Sequence, residues 1–198
     1  IQGNVKMDGT KYATRLALTE GKGSMKVDAT IDAKTRRDGS IAMNRLAYQA
    51  NLQARQIQVQ HFLPHQTFFT FTGEVEAKGV GTDFLSPRTR LMAKAKVNQV
   101  HYDKYQLHDM VADAQVANGR IHAKLDSRNE LLNGNIAVDA LASTKKLQAT
   151  LVADVRHASM YQLKITDKPV DVSLCGQIDV HSDLKDSHKV WANLDDIT

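Results

Sequence analysis

The residues that could do chemistry in this chain are few, and their spacing does not favour it. Eight histidines are the first candidates for metal ligands. His61 and His65 stand four apart, a helical ligand spacing, but Pro64 between them opposes a helix there. His101 and His108 flank a turn at 102–105 and could approach across a hairpin, with Asp103 or Asp109 as the third ligand. Zinc needs three or four convergent ligands, and the expectation is exposed strand and turn histidines with no metal. Glu74 and Glu76 share one side of an extended chain about 7 Å apart, which is within reach of paired-carboxylate chemistry. No pocket-forming or stacking residues accompany them, so a solvated strand face is expected, and Asp195-Asp196 reads the same way. The single cysteine, Cys175, has no disulfide partner in the chain and falls opposite in phase to Val172 and Leu174, as a partly exposed strand residue. No Ser-His-Asp context, Gly-rich phosphate loop or nucleophile elbow is present. The reading is a non-enzyme without a cofactor.

The elements that would position any site are strands. The stretch 69–77 reads Phe-Thr-Phe-Thr-Gly-Glu-Val-Glu-Ala, with Phe69, Phe71, Val75 and Ala77 on one side and Thr70, Thr72, Glu74 and Glu76 on the other. This period of two marks a strand with one dry and one wet face. A pattern Gly-x-apolar-x-apolar-polar recurs at Gly3, Gly23, Gly39, Gly73, Gly119, Gly134 and Gly176. Most of the 11 glycines are therefore expected to open strands of one type.

In chain order, residues 1–18 read as a hairpin turning at Asp8-Gly9, and 25–33 as a long one-faced strand after a turn at 20–23. The basic run Lys34-Thr-Arg-Arg37 lies in a turn before Asp38-Gly39, which leads into a strand carrying Ile41 and Met43. Alternation continues through 46–54 and breaks from Ile57, with Pro64 predicting a corner or short helical turn near 60–66. Phe62 and Leu63 would plug one end of the core there, and Phe84 and Leu85 would dock as an anchor in the loop at 79–87. The phenylalanines 62, 68, 69, 71 and 84 cluster in sequence and are expected to plug or bend the sheet. Beyond a strand at 91–97, the phase shifts between Leu107 and Met110, which predicts a bulge near Asp109. Further strands follow around Ile121, Ile136, Leu147–Val155, Leu163–Ile165, Val170–Leu174, Ile178 and Val190–Leu194.

Composition bounds the partners. At 42% hydrophobic and 24% charged residues the chain is too apolar for disorder. The net charge of +4 is scattered over polar strand positions rather than striped with aromatics, so nucleic acid is not an expected partner. The apolar runs are too short to span a membrane. The chain begins at Ile1 without a targeting segment and reads as one repetitive β segment, 1–198, of a longer protein, with a possible corner at 57–67. About a dozen strands with one apolar face each allow a closed barrel or sandwich, or an open sheet curved into a trough. The repeated unit and scarce aromatics favour the all-β, elongated, solenoid-like trough.

Consecutive strands of the form Gly-x-Val-x-Val/Ala-Asp/Lys with Leu-x-Ala-x-Val between them resemble the TamB and AsmA-like family. The stretch 48–105 carries most of the likeness, in Gln58-Val-Gln-His-Phe-Leu-Pro64, Gly73-Glu-Val-Glu-Ala-Lys-Gly79 and Arg90-Leu-Met-Ala-Lys-Ala-Lys-Val97. The resemblance implies a periplasmic β-taco segment of an envelope protein of Gram-negative bacteria, anchored in the inner membrane outside this stretch. It further implies a hydrophobic groove that moves phospholipid between membranes or takes part in outer-membrane protein assembly, with acyl chains and assembly factors as partners. The groove-lining candidates would then be Val5 and Met7; Met25, Val27 and Ile31; Leu52; Phe69, Phe71 and Val75; Leu91 and Val97; Ile121 and Leu125; Ile136 and Val138; Leu147, Leu151 and Val155; and Val172, Leu174 and Ile178. Two other readings stay open on the residues alone. One is a β-rich module with a closed core that binds envelope protein or glycan, although a glycan binder needs Trp and Tyr platforms and Trp191 is the only Trp. The other is a chaperone that holds unfolded strands against free sheet edges.

Overall fold

Strands of alternating polarity pair here with their neighbours along the chain, whether joined by a tight turn or by a longer connection such as residues 33–46 or 160–170. The computed structural model describes residues 1–61, 68–103, 105–142, 146–163, 165–183 and 190–195. They form one antiparallel sheet of twelve strands in strict sequence order. The strands are β1 (Gln2–Asp8), β2 (Lys11–Glu20), β3 (Gly23–Asp32), β4 (Ala47–Gln58), β5 (Phe69–Val80), β6 (Arg90–Tyr102), β7 (Tyr105–Ala117), β8 (Arg120–Arg128), β9 (Leu132–Ala142), β10 (Lys146–Ser159), β11 (Asp171–Asp183) and β12 (Val190–Asp195). Eleven inter-strand steps of ~4.8 Å make the sheet roughly 50 Å long. β1 and β12 are its two edges, so it is open and does not close into a barrel. Turn chemistry explains the tight hairpins. Asn118 (φ 55°) and Gly119 (φ 74°) together supply the two positive φ angles that a two-residue turn between β7 and β8 requires.

Polar and apolar residues alternate in exposure along the strands. β3 runs from buried Gly23 through exposed Ser24, Lys26 and Asp28 and half-buried Met25, Val27 and Ala29. All twelve strands lie in one sheet, so the alternation in β3 reflects side chains of the same face shielding one another. That is what curvature toward the apolar side produces. On the wet face, charges of opposite sign stand across neighbouring strands. Glu76 lies opposite Lys94, whose Nζ is 3.5 Å from the Asp113 carboxylate, and Arg15 meets Asp28 at 2.9 Å. These exposed pairs favour the register more than they add stability.

Irregular positions fall into one band across the sheet. In β4 one extra residue separates Ala54 from Ile57, with Gln56 at φ 49° and its N–H donating to the Thr72 hydroxyl. In β6 an extra residue follows Val97, and facing it Asp109 of β7 has φ 51°. In β10 the register shifts after Val155. The bulge expected near Asp109 is therefore present. The one in β4 explains why the alternation breaks at Ile57 without ending the strand. The shift by one residue returns Ile57 to the apolar side, opposite Phe71. The two buried clusters sit at this band. Leu18, Ala54 and Ile57 pack with Met25, Leu52, Val59 and Phe71, while Ala153, Val155 and Ala158 pack with Leu132, Met160 and Leu163.

Several local expectations are corrected. Ile41 makes only an isolated bridge to Thr35, and Met43 begins a 3-10 turn, Met43–Arg45, in place of a strand. The corner after Ile57 is a 3-10 turn at Val59–His61, and β4 and β5 pair across it, so the sheet continues unbroken. Phe62, Leu63, Pro64 and His65 lie outside the described residues. Leu163 and Ile165 belong to the connection between β10 and β11, and residues 171–183 make one strand where two short ones were expected. Phe84 and Leu85 do not anchor the loop, since both are exposed (46% and 40%). Phe84 also lies beyond the opposite end of β5 from Phe68, some twelve strand residues away, so the phenylalanines form no single plug. Phe68 meets His101 edge-on at 4.8 Å and Phe69 meets Tyr102 at 5.5 Å, while Phe71 packs on Ile57. The recurrent glycines do not generally open strands. Gly3, Gly73, Gly134 and Gly176 lie inside strands and Gly39 lies in a turn, whereas Gly23 does begin one. At Gly73 the reason is close approach, because a Cβ there would strike the Lys96 carbonyl oxygen and the Phe71 ring.

Candidate functional site

The strand register places every groove-lining candidate on one side of the sheet. Reading across from β2 to β8, Leu16, Val27, Leu52, Val75, Ala95, Ala112 and Leu125 are successive partners. Two positions further along each strand, the partners are Thr14, Ala29, Ala50, Ala77, Ala93, Ala114 and Ala123. The next row is Tyr12, Ile31, Tyr48, Gly79, Leu91, Val116 and Ile121. A line of six alanines and one threonine thus runs perpendicular to the strands, between two rows that carry Leu, Val, Ile and Tyr. Small side chains between larger ones leave a shallow furrow whose floor is methyl groups. Past Ala123 the furrow fills, because the same row continues as Val138, Leu151 and Ile178.

The remaining candidates extend the face at both ends. Val5 and Met7 stand on edge strand β1, 68% and 71% exposed, opposite Thr14 and Tyr12. Met25 lies opposite Ala54, and Val97 opposite Met110, in the row at the bulge band. Phe69 and Phe71 lie beyond the band on β5, and Val172 pairs with Ala158 beyond it on β11. Ile136 faces Ala153, Val155 faces Leu174, and Leu147 pairs with Ser182 at the far end of β10. Val155 is buried at 9% and belongs to the packed cluster, so its contact with any occupant is through its neighbours.

At the β1–β4 end the strand ends enclose a hollow of about 460 Å3. Tyr12, Ile31 and Tyr48 contribute to its lining, but Lys6, Asp8, Lys11, Ala13, Thr30, Asp32, Ala47 and Gln49, which share the opposite phase, make up most of it, so the hollow belongs chiefly to the wet face. Asp32 accepts from the Thr10 hydroxyl at 2.7 Å. Partial burial raises the Tyr48 phenol above its ordinary pKa, so it stays a neutral donor, and its hydroxyl reaches the Gly81 carbonyl oxygen at 3.4 Å. Alternation reveals the face, but it cannot show that rows carrying Leu, Val, Ile and Tyr flank a row of small residues. That requires the register of seven strands.

The described titratable groups meet in pairs. His61 contacts the Glu20 carboxylate, His108 meets Asp109 at 2.9 Å, and His122 meets Asp139 at 2.5 Å. His101 pairs with Gln106 and His108 with Gln99, so the two histidines are not cross-strand partners. Among the described residues no three His, Cys, Asp or Glu side chains converge on a point. Glu74 and Glu76 lie opposite Lys96 and Lys94 on the wet face, and Cys175 is exposed on β11, six strands away, opposite Asp154. Asp195 ends β12 and Asp196 lies outside the described residues. No described helix is long and apolar enough to cross a membrane. Comparison of the chain with protein-family models, with curated proteins and with solved structures found no match.

Proposed function

We propose that this chain is a periplasmic stretch of a TamB/AsmA-like envelope protein, whose uncovered apolar face carries phospholipid acyl chains between membranes without catalysis. The observation that carries this reading is the alanine-floored furrow over β2–β8, bordered by rows that carry Leu, Val, Ile and Tyr except at Gly79, Ala95 and Ala112, where it widens. An acyl chain is a narrow, unbranched apolar cylinder, and it gains ~25 cal/mol for each Å2 of its surface removed from water. A floor of methyl groups offers no hydrogen bond that would hold the chain in one register, so the cargo can slide along the stacking direction. A contiguous apolar face of this extent is uncommon on a protein without a partner. The closed-core alternative requires a second layer on that face, whereas all twelve strands lie in one sheet.

The test is a photo-crosslinking side chain placed in turn at Val75, Leu151 and, on the wet face, Glu76, in protein purified without detergent and analysed for attached lipid by mass spectrometry. Lipid attached at the first two positions and absent at the third is the expected result. Silence at all three, from protein with an intact β spectrum, overturns the lipid reading.

A further inference from the structure

A second feature, independent of the apolar furrow, lies at the bulge-band end of the sheet. β7 outruns β8. The last pair between them is Met110 with Ser127, so the segment Tyr105–Asp109 has a partner on its β6 side only. Beside this unpaired edge opens a cleft of about 760 Å3, the size of a ligand site. Its opposite wall is the loop after β8, with Asn129 and Glu130, and the turn after β10, with Tyr161 and Gln162.

The chemistry of the lining is narrow. Asn98, Gln99, Gln106 and Gln162 contribute four primary amides, each with one acceptor and two donors in a plane. Asp109 and Glu130 add acceptor oxygens, and His108 also lines the cleft, its Nδ1 2.9 Å from the Asp109 carboxylate. With two carboxylates and no Lys or Arg among its described lining residues, such a surface disfavours phosphate and other anions. It suits an uncharged ligand dense in neighbouring hydroxyls, which pair with amides and carboxylates in donor and acceptor roles at once. Tyr161, 42% exposed, gives the cleft an aromatic surface on which the C–H face of a sugar ring can rest.

The walls are held before any ligand arrives. Asn129 is 1% exposed, and its Oδ1 accepts from the Leu131 N–H at 2.7 Å. Ser127 donates to the Leu132 carbonyl oxygen at 2.6 Å, and the Ser159 N–H donates to the Leu131 carbonyl oxygen at 2.9 Å, which ties the loop to the end of β10. Asp109 is fixed by the bulge and by His108. Preorganised polar groups lose less ordering entropy on binding. We infer that this cleft is a carbohydrate-binding site, taking a short stretch of a neutral or N-acetylated oligosaccharide along the unpaired edge of β7.

The experiment is saturation-transfer NMR and calorimetry on the whole chain with three probes: chitotetraose, cellotetraose and maltotetraose, each to millimolar concentration. At least one is expected to bind. Tyr161→Ala should weaken it about tenfold, as loss of an aromatic hot spot does. Gln99→Ala/Gln106→Ala should do the same, Tyr161→Phe should retain binding, and circular dichroism should stay unchanged in all. No binding by any of the three overturns the proposal, as does binding that both variants leave intact. A cationic strand-forming peptide that binds where no sugar does also overturns it, and assigns the β7 edge to peptide addition. Photo-crosslinking of lipid at Val75 reads a different surface, so failure of one reading leaves the other standing.

Discussion

Truncating Ile57 and Val75 to alanine, one at a time in lipid-free protein, separates an open face from a covered one. Both residues lie on the apolar side of the sheet. Ile57 is 2% exposed, enclosed by Leu18, Ala54, Met25, Leu52, Val59 and Phe71 at the bulge band. Ile57→Ala removes three carbons at ~0.8 kcal/mol each and leaves a cavity, so the loss should be about 3 kcal/mol. Val75 is half-buried beside Leu52 and Ala95, in a row that borders the furrow. Val75→Ala removes two carbons that are partly in water already and leaves no cavity, so the loss should stay under ~1 kcal/mol. Urea unfolding followed by far-ultraviolet circular dichroism measures both as shifts in midpoint at constant slope. Hydrogen exchange of β4 and β5 amides reads the same difference if the sheet unfolds in steps, as repetitive arrays do. Equal costs at the two sites would refute the reasoning, because Val75 would then have to be packed against a layer on its face.

Leu151→Asp, at the filled end of the furrow row and packed against the Ala153, Val155 and Ala158 cluster, should abolish lipid crosslinking at that end and lower the melting temperature while the β spectrum at low temperature survives. In a closed core the same charge would unfold the protein, which thermal melting of the variant distinguishes. Gly73→Val drives a side chain into the Lys96 carbonyl and the Phe71 ring, and should cost ~1–3 kcal/mol with faster exchange confined to β5 and β6. The Asp179 carboxylate is held below the ordinary aspartate range, first by the Thr150 hydroxyl at 2.5 Å and then by Gln177 at 3.0 Å. A depressed folded pKa means that its stabilising effect is present above the unfolded value and is lost as pH falls through the folded one. An NMR titration of Asp179 should therefore show a midpoint below that of a free aspartate. Thr150→Ala should move it back up, and β10–β11 amides should lose protection only in the acid range.

Much of the architecture is legible in the residues because a strand with one wet face writes its period of two directly into the chain. Alternation through Met25, Val27, Ala29 and Ile31 requires an extended, one-sided element whatever its neighbours are, and turn pairs such as Asn118-Gly119 dictate tight reversals. The phase shift before Met110 exposed a bulge in advance, since one inserted residue exchanges the faces of everything that follows. The corresponding break at Ile57 reads in the sequence as an end, because a bulge and a terminus disturb alternation equally. Only pairing of Ile57 with Phe71 decides between them. The same limit applies at Ile41 and Met43, where alternation was present but no neighbouring strand accepts the segment into a ladder.

The sites lie further from the sequence. That an apolar face exists follows from the chain itself, but that Ala29, Ala50, Ala77, Ala93, Ala114 and Ala123 line up as a furrow depends on five registers at once. A slip of two residues in any one pairing would preserve the faces and destroy the line. The polar cleft is less legible still, since Gln99, Gln106, Asn129 and Tyr161 are spread over sixty-two positions and meet only because β7 is longer than β8. The sequence by itself determined one-faced strands and their order, through local periodicity and turn chemistry. Tertiary structure alone decided which side chains share a row and where a strand end is left unpaired, because both are relations between segments distant along the chain.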